Sequence, residues 1–218
     1  MLKLLSLLTS QKISSLVIDT LSDQVVGKNE AVFYLYFDFP AQDEQTPTNM
    51  LGGLLKQIVA RSAEIPEGVA EAFRQSRESI GGRGLRLPDI LILLQKVLNS
   101  FDQAFICIDA LDECLTKHRP EFLRSLRCLI QRSPGTRLFF TGQPHIRAEI
   151  RKCTSENVAT VPIFPSTEDI EAYLSQKLEG DLYPEAMNSE LKEDIMKTIP
   201  ERMSEMYVSA VPSKITDG

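Results

Sequence analysis

Three carboxylates, Asp109, Asp112 and Glu113, stand at the end of the apolar run Phe105-Ile106-Cys107-Ile108. A run of this length, rich in Ile and Phe, reads as a strand buried on both faces of a parallel sheet. An unpaired charge inside such a strand is costly. The carboxylates are therefore expected just past its C-terminal end, at the edge where open α/β sheets bind ligands. There Asp109 can hold Mg²⁺ on a nucleotide, and Asp112 or Glu113 can orient an attacking water while the other pairs with a basic group. The same three residues would also suit a strand that stops at a helix N-terminus, where acidic side chains complement the macrodipole.

The elements that must position them follow in the chain. Phe122, Leu123, Leu126, Leu129 and Ile130 recur at helical spacing over 119–132, with Pro120 in the first turn. Ser133-Pro134-Gly135 breaks that helix, and 136–141 reads as a second buried strand ending in Thr141-Gly142-Gln143-Pro144. Strand, helix and strand make a βαβ unit with a right-handed crossover. Thr141 should then share a sheet edge with Asp109. Asp109 with this strand order reads as a Walker B motif.

Elsewhere the pattern stays α/β. Strands are expected near 31–39 and 158–163, parallel to the two above. Helices are expected over 48–62, capped by Thr48, and over 66–79, 88–99, 167–178 and 189–199. Leu2, Leu5 and Leu8 share one helical face, so the N-terminal run extends the helix that follows it.

The blocks "FICIDALDEC" and "RLFFTGQPHIRAEI" resemble the NACHT domain of the signal-transduction (STAND) P-loop NTPases. The type is the nephrocystin-like N-terminal one found in fungal NLR-like proteins. "SSLVIDTL", "AVFYLYFDF" and "DIEAYLSQKL" support the resemblance, which covers about residues 14 to 180. It implies a three-layer α/β fold, a parallel sheet between helices, and an ATP- or GTP-dependent signalling switch using Mg²⁺. It makes Asp109 the metal ligand, Asp112 and Glu113 the catalytic carboxylates, and Thr141 and Gln143 nucleotide-facing residues. Many relatives carry Arg where Gln143 stands, to sense the γ-phosphate; Gln supplies no positive charge. Partial NACHT domain over 1–180 and the start of a helical region over 181–218 are the implied divisions, and the tail after Pro200 resembles the family's next helix. Homo-oligomerisation or a signalling partner protein is implied as well.

One part of that pattern is missing. No G-x-x-x-x-G-K-[S/T] phosphate loop occurs in the chain. Aligned without gaps, Thr9, Ser10 and Gln11 fall where its last Gly, its Lys and its hydroxyl residue belong, and Lys12 lies two places late. The strand before that loop would occupy the centre of the sheet, between the third and last strands here. Without it two strand edges are expected to be unpaired, and a truncated or mis-spliced gene product is the expectation.

Composition excludes other classes. A net charge of −6 with scattered Lys and Arg argues against a nucleic-acid surface. No apolar stretch reaches the roughly 18 residues of a membrane span. Cys107, Cys114, Cys128 and Cys153 show no C-x-x-C pairing and read as packed thiols of a cytoplasmic protein. His118 and His145, the only histidines, read as surface residues. Two functions stay open: a nucleotide switch unable to bind or hydrolyse nucleotide as it stands, or a non-catalytic α/β interaction module or inactive gene fragment.

Overall fold

Alternation along three parallel strands fixes the layers. In the computed structural model, which describes residues 2–61, 67–78, 84–154, 159–163, 167–179, 188–202 and 206–211, β1 is Glu30–Tyr36, β2 is Gln103–Asp109 and β3 is Thr136–Gly142. β1 pairs parallel with β2, and β2 with β3. Val32, Tyr34, Phe105, Cys107 and Phe139 point to one face. Phe33, Leu35, Ile106, Ile108, Leu138 and Phe140 point to the other. This period of two lays a helical layer on each side.

The first face is covered by α1, Leu2–Gln24. Its Val17, Ile18 and Leu21, with Val25 just past its end, form one stripe against the sheet. The N-terminal Leu run does continue this helix.

The second face carries α2 (Pro47–Arg61), α3 (Glu67–Glu78), α4 (Leu87–Leu98) and α5 (Arg119–Arg132). Leu51, Leu54, Leu55 and Ile58 of α2, spaced for one helical face, are all buried. Each such side chain contributes about 1.5–3 kcal/mol when removed from water. α2 starts one residue earlier than expected, and its cap is Thr46, not Thr48. Thr46 Oγ1 accepts from Asn49 N–H at 3.2 Å. Pro47 explains the shift, because its fixed φ and missing N–H suit the first helical position. β1 ends at Tyr36 rather than near 39, since Pro40 pulls Phe39–Ala41 into a 3₁₀ turn.

After β3 come α6 (Arg147–Thr154), β4 (Ala159–Ile163), α7 (Thr167–Glu179) and α8 (Ser189–Arg202). Ser166, just ahead of α7, lies outside what is described, as does the side chain of Thr167. The tail brings the main departure: Met206–Val211, where a helix was expected, is a strand, β5. The sheet order is β1-β2-β3-β5-β4. β5 runs antiparallel to both neighbours, so β4 points the same way as β1 to β3. The chain is thus α/β, with no strand ahead of α1 among the described residues. The two unpaired edges expected beside the missing strand are paired with β5 instead.

The outer edge of β1 is closed by side chains. Gln57 Nε2 donates to Tyr34 O at 2.7 Å, and Tyr34 N–H donates to Gln57 Oε1 at 3.2 Å. One amide thus imitates a neighbouring strand. Arg61 donates to Val32 O and lies 5.7 Å from the Phe33 ring centre. Such capping blocks edge-to-edge association. Gln57→Leu should lower the unfolding free energy by about 1–3 kcal/mol, the cost of stranding two half-buried backbone groups. A urea titration would register this as a lower midpoint with unchanged slope.

Candidate functional site

At the C-terminal edge of the sheet, the ladder between β2 and β3 stops one residue short of the chemistry. Its last pair is Ile108↔Phe140. Beyond it, Asp109 turns toward β1, pairing with Tyr36 and accepting at its carbonyl from Phe37 N–H at 3.1 Å. Thr141 and Gly142 instead pair with Val208 and Tyr207 of β5. Side chains bridge the split. The Thr141 hydroxyl donates to Asp109 Oδ1 and accepts from Ala110 N–H at 3.1 Å.

A third group joins from the other layer. Ser14, on the buried side of α1, donates to the same Asp109 Oδ1 at 2.6 Å. Ser14, Asp109 and Thr141 are 1%, 3% and 1% exposed. Asp109 is therefore the last residue of its strand and buried, not beyond it in solvent. Its charge is tolerated there because two hydroxyls donate to it. Nearby Tyr36 has its pKa raised, mainly by burial and then by the Asp109 charge, with a Ser15 hydrogen bond opposing.

The chain then turns sharply. Ala110 sits in the left-handed region with φ 51°, the only non-glycine residue with positive φ among those described. An L-residue there costs roughly 1–2 kcal/mol, a strain typical of functional turns. Leu111–Glu113 forms a 3₁₀ turn. Asp112 Oδ1 accepts from Gln143 N–H at 3.3 Å, joining this turn to the loop after β3. Gly142 permits the approach: a Cβ on it would come 2.6 Å from Ile146 Cδ1 and 3.2 Å from Asp112 Oδ1. Glu113 is 4% exposed, so it lies inside the turn, while Asp112 is half-buried. Gln143 lines a small recess with Thr141, Ile146 and Arg147.

Two residues that sequence reasoning missed brace this turn. Arg119 Nε and Nη2 donate to the two carboxylate oxygens of Glu149 at 2.8 and 2.9 Å. Its Nη1 donates to the carbonyls of Cys114 and Asp112 at 3.0 and 3.3 Å. The guanidinium is almost fully buried, with 6% of its side chain exposed, against 39% for Glu149. It ties the acidic turn to α6. The ion pair raises the Arg119 pKa and lowers that of Glu149, each chiefly through their hydrogen bonds. No sequence signal pairs residues thirty positions apart. Ser14 did leave a trace, as the one polar member of the stripe Ser14-Ile18-Leu21-Val25.

The remaining candidates lie elsewhere. His145 is exposed and His118 half-buried. Cys107 and Cys114 are buried, which pushes their thiols up to about 12 and about 11, with the Arg119 charge partly offsetting the latter. The Cys153 side chain lies outside what is described. Among the described residues no group of three or more His, Cys, Asp or Glu could hold a metal ion, and no helix is long and apolar enough to cross a membrane.

Three outcomes follow. Arg119→Met should lower stability by roughly 2–4 kcal/mol, since it strips donors from two carbonyls and a carboxylate; denaturant unfolding measures this. The depressed Glu149 pKa makes the pair's contribution fully present above the ordinary Glu range and lost as pH falls through the depressed value. Glu149→Gln should therefore narrow its stability deficit to wild type below about pH 4. Near pH 8, iodoacetamide should modify Cys128 while Cys107 and Cys114 stay protected, because thiolate is the reactive form; peptide mass mapping reads the order.

Residues 11–143 match the family described as Nephrocystin 3, N-terminal. No curated protein and no solved structure matches the chain.

Proposed function

The chain belongs to the nephrocystin 3 N-terminal family, and on that premise we propose that it is a module related to NACHT-type nucleotide switches that does not itself hold a nucleotide. The observation carrying this reading is Asp109, a carboxylate at the ligand-binding edge of a parallel sheet, clasped by the hydroxyls of Ser14 and Thr141. Strand ends at such an edge are where α/β sheets take ligands.

The two halves of a Mg²⁺–nucleotide ligand fare differently against these residues. The cation half fits: one carboxylate and two hydroxyls are hard oxygen donors of the kind Mg²⁺ prefers. Asp109 would hold the ion, with Ser14 and Thr141 beside it, and the ion would supply charge neutralisation to bound phosphates. The phosphate half does not fit. A phosphate cradle needs several backbone N–H groups free to point at the ligand. Residues 9–12 lie inside the continuous helix α1, where N–H groups are committed to carbonyls one turn back. Arg119 is committed to Glu149. No nucleotide-dependent step is therefore assigned to this chain.

Within this reading, Thr141 orients Asp109 and passes its position to the Ala110 turn, while Asp112 couples that turn to Gln143. Burial of Glu113 keeps it away from any water at the edge. These couplings suit a module that transmits conformation, acting with a signalling partner or a second copy of itself in the cytoplasm. Titration calorimetry with MgATP and MgGTP tests the proposal. Missing two or more charge-assisted contacts of about 1.5–3 kcal/mol each weakens binding by at least about a hundredfold. No saturable heat is expected at micromolar nucleotide. Saturable micromolar binding abolished by Asp109→Ala would overturn the claim that nucleotide is not held.

A further inference from the structure

Charge is unevenly spread along the chain, and α5 shows the imbalance at its surface. The protein carries 24 Lys and Arg against 30 Asp and Glu, yet residues 117–152 hold nine of the former and only two of the latter. In this segment Phe122, Leu123, Leu126 and Leu129 bury one side of α5. The opposite side presents Glu121, Arg124 and Arg127, all exposed. At intervals of three they form one oblique ridge about 9 Å long.

α8 carries a complementary pattern. It packs on α7 and leaves Glu190, Glu193 and Lys197 exposed. Spacings of three and four make these a ridge about 10.5 Å long. Along α5 the signs run minus, plus, plus; along α8 they run minus, minus, plus. Set antiparallel, Glu121 meets Lys197, Arg124 meets Glu193 and Arg127 meets Glu190, and the two spans differ by a single helical rise. Set parallel, Glu121 would face Glu190 and Arg127 would face Lys197, two repulsive pairs. Among the described residues none of these six side chains makes an ion pair or side-chain hydrogen bond within its own chain. No aromatic side chain stands among the exposed residues of α5, so the ridge offers carboxylates a partner but gives nucleic-acid bases nothing to stack on.

We propose that the α5 ridge of one copy docks antiparallel on the α8 ridge of a second copy of this chain. The two surfaces differ, so the contact is heterologous: it repeats head to tail, or closes where the rotation between copies allows. Exposed ion pairs contribute little individually, so the association is weak and depends on low salt. The second copy belongs to the functional reading above, whereas the register rests on the charge pattern alone. The test uses no nucleotide, and the two therefore fail separately.

Sedimentation velocity of the full chain reads the association. In about 0.05 M salt the wild type should self-associate at concentrations on the order of 100 μM, and in about 0.5 M salt the dissociation constant should rise at least about tenfold, because exposed charges are screened. Arg124→Glu with Arg127→Glu, and separately Glu190→Lys with Glu193→Lys, should each weaken self-association at least about tenfold at low salt. Mixed one to one, the two variants should associate at least as tightly as the wild type, since every ridge then finds its opposite. Urea midpoints check that the swaps leave the fold intact. Where one does not, Arg124→Gln with Arg127→Gln, or Glu190→Gln with Glu193→Gln, takes its place and should still weaken self-association. No self-association of the wild type at low salt, a loss in only one of the two variants, or a mixture of intact swaps that fails to recover would each overturn the proposal. Poly-glutamate held by the Arg124 ridge without self-association would give that ridge to a foreign acidic partner and overturn the second copy as its occupant.

Discussion

A carboxylate that is 3% exposed must find donors within the protein, and for Asp109 the donors come from two different elements. Ser14 arrives on α1, which lies on one face of the sheet, and Thr141 arrives on the neighbouring strand. Desolvating a carboxylate without partners costs more than most folds can spare, whose net stability is of order 5–15 kcal/mol. The positions of α1, β2 and β3 at this edge are therefore mutually constrained. Moving α1 along its axis by one residue would carry Ser14 off the carboxylate as well as shift Ile18 and Leu21 on the sheet.

The constraint propagates outward through backbone rather than through packing alone. Asp109 ends its strand in a left-handed Ala110, and the resulting turn is held by Arg119 from one side and by Gln143 N–H from the other. Arg119 also grips Glu149 on α6. The loops after β2 and after β3 are consequently fastened to each other by polar contacts at a point where the strand ladder has already ended. Such contacts are directional and lose most of their value with small displacements. The edge is then well suited to hold one arrangement and to report its loss.

How much of this was legible depended on whether the signal was local. The end of β2 at Asp109 was readable because an apolar run meets a charge, and solvation alone sets that boundary. The helices over Leu51 to Ile58 and over Phe122 to Leu129 were readable from period, since burial of one face repeats along the chain. The proximity of Thr141 to Asp109 followed from a βαβ unit and its parallel strands. Ser14 was only half visible, as a polar residue in an apolar stripe whose partner lay 95 positions away. Arg119 with Glu149 was invisible, because nothing in either local pattern distinguishes this pair from surface charges. The misplaced cap at Thr48 shows a finer limit: Thr46 and Thr48 flank Pro47, and only the preference of Pro for the first helical position separates them.

β5 was the largest departure, and its cause is physical. MYVSAV carries too short an alternation to announce a strand, and its two pairings are with segments far away in sequence. What demanded it was the sheet. A buried strand such as β3 exposes a row of unpaired donors and acceptors unless another strand lies beside it, and each buried orphan group costs about 1–3 kcal/mol. A lane with that many open groups recruits a segment of adequate β propensity, and direction is secondary: antiparallel pairs are at least as stable per residue as parallel ones. The pressure to fill a lane and the identity of its occupant are therefore separable. The sheet requires a strand there; only the hydrogen bonds at Thr141 and Gly142 make the choice of occupant matter to the chemistry at Asp109.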